Sequence, residues 1–166
     1  MCLFLGLVLA ACEAGSQDAS LAPSPEGRGG SLARFAIAGD HLYIVDNSKL
    51  HVYNITDPAN PLSGAEVHLG VNIETIFPYD NKLFIGSQTG MHIYDRINPN
   101  QPKFISRYDH VMSCDPVVVQ GNYAYVTLRS GTDCRLGANL LDVIDISNPY
   151  HPKIVNSYSM INPHGL

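Results

Sequence analysis

The groups in this 166-residue chain that could do chemistry are four cysteines, seven histidines and fifteen acidic residues. Their spacing decides which chemistry is open to them. Cys12 follows the small pair Ala10 and Ala11 at the end of the apolar run LFLGLVLAA (residues 3–11), which fits the hydrophobic region of an export signal. A polar stretch, EAGSQDAS, comes directly after it. Cys2 would leave with such a signal, so Cys114 and Cys134 remain as an even pair. In an oxidising compartment an even pair is most simply a disulfide. The loop it would close is worth roughly 3 kcal/mol on the chain-entropy model. Two free buried thiols are the alternative reading. Zinc is disfavoured, because neither cysteine lies in a CxxC or Cys-His pair.

The histidines do not group. His51 and His92 fall at equivalent places in successive units of a repeat described below, too far apart to share one ion. His41, His68, His110, His151 and His164 show no HxH, HxxxH or HExxH spacing, so no metal site is assigned. No GxSxG, P-loop or dinucleotide glycine pattern occurs, and no catalytic residue is assigned.

These groups need elements to position them. With 45% apolar and 15% charged residues the chain has a globular composition. Ten Lys and Arg against fifteen Asp and Glu leave a net charge of −5, which gives no basic footprint for nucleic acid. The apolar N-terminal stretch is too short to span a bilayer. Residues 12–31, rich in Ser, Gly, Pro and Ala, cannot bury enough apolar area to offset their ordering entropy and read as a flexible tether.

Beyond the tether the chain repeats. Tyr43, Phe84 and Tyr125 are spaced by 41 residues, and three proline pairs (Pro58/Pro61, Pro99/Pro102, Pro149/Pro152) keep phase with them, the third unit carrying an insertion around Cys134. Short β-branched and aromatic runs such as 42–46 and 50–55 are split by turn residues, a hairpin pattern. Each Asp/Asn-Pro-x-x-Pro step ends a strand, because proline cannot donate to a ladder. Four strands per unit without helical periodicity predict an all-β fold, a β-propeller of four-stranded antiparallel blades. About three blades are present, near 32–69, 73–109 and 114–160, with the start of a fourth at 163. Ile37, Ile44, Val45, Val52, Ile85, Val117, Val118, Val119, Val126, Val143 and Ile144 are the expected core. Three blades cannot close a ring that needs four to eight. The expectation is therefore an incomplete propeller, the N-terminal part of a longer one, or closure by oligomerisation.

In a propeller, ligands usually meet the mouth of the central channel. Here Asn72, Glu74, Asp115 and His164 lie at the loops leading into the inner strands. Glu74 and Asp115 are equivalent, each thirteen residues past the second proline of its unit, and would form part of an acidic ring. Such a ring suits a hard cation such as Ca²⁺ or a cluster of sugar hydroxyls. The plainer reading is that each carboxylate accepts backbone N–H bonds at a strand start.

Two resemblances follow from these residues. LAAC at 9–12 resembles the lipobox of bacterial lipoproteins, which implies that Cys12 becomes the acylated N-terminus of a protein held at the cell envelope. An export signal normally carries positive charge ahead of its apolar run, and none precedes Cys12. The true start then lies upstream or the signal is atypical. LYIVD at 42–46 and LDVIDIS at 141–147 look like the repeats of the LVIVD family of exported propellers. That resemblance implies a fold and an address, with no catalytic residue to carry over. The expectation is a lipid-anchored surface module that binds a protein or glycan, with membrane contact through the anchor and no cofactor. The alternative is an exported hydrolase or lyase with its site at the channel.

Overall fold

The computed structural model describes residues 33–110, 116–129, 139–161 and 163, and every regular element within them is a strand. The first sheet holds β1 (Phe35–Ala38), β2 (His41–Val45), β3 (Lys49–Asn54) and β4 (Leu62–His68). The second holds β5 (Ile73–Tyr79), β6 (Lys82–Ser87), β7 (Gly90–Asp95) and β8 (Lys103–Asp109). The third holds β9 (Val117–Gln120), β10 (Tyr123–Leu128), β11 (Leu140–Asp145) and β12 (Lys153–Ser159). In each sheet the strands lie side by side in chain order, all antiparallel. The cross-strand register repeats with the sequence: Phe35 faces Ile44, Ile76 faces Ile85, and Val117 faces Val126.

Burial follows from stacking. The sheets pack face to face, first on second and second on third, through their inner strands β1, β5 and β9. Each sheet has a trailing face, turned to the next sheet, and a leading face, turned to the one before. Between the first two sheets lie Tyr43, Val45, Leu50 and Val52 of the first against Ile76, Leu83, Ile85 and Tyr94 of the second. Between the second and third lie Phe77, Phe84, Met91 and Ile93 against Val117, Ala124, Val126 and Ile144. Strand β2 therefore buries alternate residues, whereas β7, covered on both faces, is buried along almost its whole length. Ile37 corrects one expectation: it is not core but 56% exposed, because it lies on the leading face of the first sheet. Ile44, Val118 and Val143 are only half-buried.

Two turns carry the repeat. The β1–β2 type of hairpin bends through a left-handed residue at Gly39 (φ 59°), Asp80 (φ 48°) and Gly121 (φ 59°). Only the middle sheet places an L side chain there, and Asp tolerates that region at a cost glycine avoids. Asp80→Gly is expected to stabilise the protein by a few tenths to about 1 kcal/mol, read as a raised urea midpoint with unchanged slope.

The Asn/Asp-Pro turn between third and fourth strands has a second task. In the second sheet it reaches back to the first: the Tyr43 hydroxyl donates to the Pro99 carbonyl at 3.2 Å, and Ala65 N donates to the Asn100 carbonyl at 3.0 Å. In the third sheet the equivalent Pro149 carbonyl accepts from Ser106 Oγ at 2.5 Å. Phe84 stands where the first sheet has Tyr43, and Ser106 where it has Ala65. One hydroxyl serves each latch, from a different strand. Ser106→Ala is expected to cost about 1 kcal/mol, and Phe84→Tyr on that background to recover most of it. A double-mutant cycle with no coupling would show that the two positions do not share the carbonyl.

Candidate functional site

One end of the stack gathers the second-to-third-strand hairpins and the connections between sheets. Leu69 N donates to the Ser48 carbonyl (2.8 Å), Ile73 N to Asn47 (3.1 Å), Gln88 N to Asn72 (3.1 Å) and His110 N to Thr89 (3.3 Å). Asn72 is exposed in the left-handed region, φ 58°. Glu74 is half-buried, and its Oε1 accepts from Gln88 Nε2 at 3.3 Å. The structure thus brings Asn72 and Glu74 together through Gln88, a residue that sequence reasoning passed over. Asp115 and His164, the other two mouth residues, lie outside the described residues, as do Cys12, Cys114 and Cys134.

At the same end each sheet carries a polar group of side chains at equivalent positions. In the first, Asp46 Oδ1 accepts from Ser48 N and Lys49 N, both at 2.7 Å, and Oδ2 meets His51 Nε2 at 2.9 Å. His51 Nδ1 lies 3.4 Å from Glu66 Oε2, and Lys49 Nζ pairs with Glu66. The hydrogen bond from His51, and then those two backbone N–H groups, hold the Asp46 carboxyl far below the usual range. Lys49 lowers Glu66, and Glu66 in turn raises Lys49.

In the second sheet the corresponding residues are Ser87, His92 and Arg107. His92 and Ser87 are buried, with Nε2 and Oγ 3.4 Å apart. A serine nucleophile needs its proton directed at the imidazole. Here the Ser87 hydroxyl donates to the Gly90 carbonyl at 2.8 Å instead, so it offers His92 only a lone pair. Burial, and then the charge of Arg107, push His92 down to about 4, which keeps it neutral near pH 7. In the third sheet Asp142, buried, accepts from Ser157 Oγ at 2.7 Å. Burial raises the Tyr108 phenol, and the neighbouring Asp142 adds to the rise. Among the described residues, no group of three or more His, Cys, Asp or Glu is arranged to hold a metal ion.

The opposite end repeats a turn. Asn54 Oδ1 accepts from Thr56 N (2.8 Å), Asp95 Oδ1 from Ile97 N (2.6 Å) and Asp145 Oδ1 from Ser147 N (2.8 Å). These side chains close the backbone where the third strand leaves the sheet. The Ser147 N–H accordingly lowers the Asp145 carboxyl. Clefts open beside two of these turns, one of about 410 Å³ lined by Asp145, Ser147, Asn148, His151 and Lys153, the other of about 260 Å³ at the equivalent residues of the second sheet. Asp95 and Asp145 are thus turn-forming groups.

Three stacked four-stranded sheets in strict repeat, each polar at the same two ends, define a propeller-type repeat protein. A family model for the LVIVD repeat matches residues 29–65 and 113–160, about half of the chain. The chain belongs to the LVIVD repeat family. The matched segments fall on the first and third sheets, the first of them ending within β4. The middle sheet has Gly86-Ser87 where LYIVD of the first has Val45-Asp46. Among curated proteins nothing matches the chain.

Proposed function

We propose that the chain is an exported, lipid-anchored envelope protein whose propeller is a binding module for a surface protein or glycan. The order of its parts carries this reading: an apolar run ending in LAAC, a tether poor in apolar residues, and then LVIVD blades. Acyl chains on Cys12 would bury methylenes at about 0.8 kcal/mol each, and the tether would hold the blades clear of the membrane surface. The binding face is the end that carries Asn72, Glu74 and Gln88, where Asp46, His51 and Glu66 form one polar rim. A binding role rather than a hydrolytic one is supported at Ser87, whose hydroxyl proton is directed away from His92.

Metabolic labelling with an alkyne palmitate tests the anchor. The wild-type chain should take up label and sediment with membranes, and Cys12→Ser should lose both properties. An unlabelled wild-type chain would remove the anchor from this reading.

A further inference from the structure

Where the second sheet's Asn-Pro turn reaches back to the first sheet, the two leave a cleft of about 420 Å³ between them. Asn54, Leu62, Ser63 and Gly64 line it from the first sheet, Asn100 and Gln101 from the second. Its cause is local. The β3–β4 register shifts between His51 and Tyr53, and Ala65 N donates to the Asn100 carbonyl at 3.0 Å. Gly64, beside it, lets the turn come this close: a Cβ there would lie 3.2 Å from Asn100 Oδ1 and 3.3 Å from the Asn100 carbonyl oxygen. Between the second and third sheets the positions equivalent to Asn54, Ser63, Gly64 and Asn100 are Asp95, Phe104, Ile105 and Tyr150. A carboxylate and three large side chains take the corresponding places there. The small, neutral lining belongs to the first pair of sheets.

The donors of the cleft are set by bonds behind it. His41, 9% exposed, holds Asn100 Oδ1 through Nε2 at 3.2 Å, which leaves the Asn100 Nδ2 amide to donate elsewhere. Asn54 Oδ1 accepts from Thr56 N at 2.8 Å, which leaves Asn54 Nδ2 in the same state. Ser63 and Gln101, both exposed, add a hydroxyl and a further carboxamide. None of these lining side chains is charged, so the cleft offers nothing to neutralise a phosphate or carboxylate and no hard anionic oxygen for a cation. Carboxamides and a hydroxyl both donate and accept, which matches a neutral ligand rich in hydroxyl groups. The volume lies within the range of small-molecule sites. We infer that this cleft binds a neutral saccharide, with Asn54, Asn100 and Gln101 hydrogen-bonding its hydroxyls and Leu62 packing on a C–H face. A peptide would instead pair with the backbone of a strand edge, and the Ala65 N–H is already bonded to Asn100. The cleft lies at the opposite end from Asn72 and Glu74, so the site goes beyond the binding face proposed above and depends neither on it nor on lipidation of Cys12.

The test is an NMR titration of the isotope-labelled 166-residue chain with glucose, galactose, N-acetylglucosamine and cellobiose, and with triglycine as the peptide probe. At least one sugar should shift the Gly64 amide and the side-chain amides of Asn54, Asn100 and Gln101 at millimolar concentration. Asn54→Asp keeps the turn, as Asp95 and Asp145 do in the other sheets, but removes the donor. Gln101→Glu does the same to the second amide. Each should weaken sugar binding by about fivefold to tenfold and leave the remaining spectrum in place. No response at the cleft to any of these sugars at tens of millimolar would overturn the site, as would binding that survives both substitutions. Sugar shifts confined to Asn72, Glu74 and Gln88 would overturn it while supporting the face at the other end. A cleft that responds to triglycine and to no sugar would overturn the saccharide assignment.

Discussion

Phe84→Ala is expected to cost about 3–5 kcal/mol, at the upper end of what truncating one core side chain can do. Phe84 is 1% exposed at the centre of the middle sheet, paired across the ladders with Phe77 and Ile93. Its ring fills the space between second and third sheets, among Phe77, Met91, Val117 and Val126. Ladders fix the strands on both sides, so the site cannot collapse onto the missing ring. Most of the cavity therefore remains. In a stack where each unit touches only its neighbours, the loss falls on one interface. Urea unfolding should show the lowered midpoint. Hydrogen exchange should show amides of β9 and β10 losing protection while those of β2 and β3 keep theirs. A cost below about 1 kcal/mol would mean that the second and third sheets are not packed as described.

Much of this packing is legible in the repeat itself. Tyr43, Phe84 and Tyr125 set the period, and the proline pairs mark where third strands end, so the strand order follows from counting. Exposure is harder to read, because periodicity reports which residues share a face and not whether another sheet covers it. Ile37 and Ile85 read alike in sequence, yet one is exposed and the other fully buried. The polar end groups are hidden for a different reason. Asp46, His51 and Glu66 meet across three strands, at spacings set by hairpin register and a bulge between His51 and Tyr53, and no local motif encodes that. The two family-like segments also differ in their place. LYIVD lies on β2, whereas LDVID lies on β11, the third strand of its own sheet. Their acidic residues close different turns, Asp46 that before Lys49 and Asp145 that before Ser147.

Acidification from pH 6.5 to 4 is expected to weaken the fold by an amount approaching 3 kcal/mol, through His92 alone. Its ring is buried, with Nε2 3.4 Å from Ser87 Oγ, and burial is the main reason its proton affinity falls to about 4. Arg107 adds to the fall and Asp109 opposes it, with Arg107 Nε and Asp109 Oδ1 paired at 2.5 Å. Below pH 6.5 the unfolded chain binds a proton at this histidine that the folded chain refuses. Stability is therefore full above about 6.5 and declines until the folded-state value near 4 is passed. The lowered carboxyls Asp57, Glu66 and Asp145 act in a separate, more acidic window, since each favours the folded state until it is protonated. His92→Gln should flatten the urea-derived stability between pH 6.5 and 4 and leave the steeper loss below that range in place. An NMR titration of the His92 ring supplies the direct check: a midpoint near 6.5 in the folded protein would place the ring in water, and the pH dependence would have to arise elsewhere.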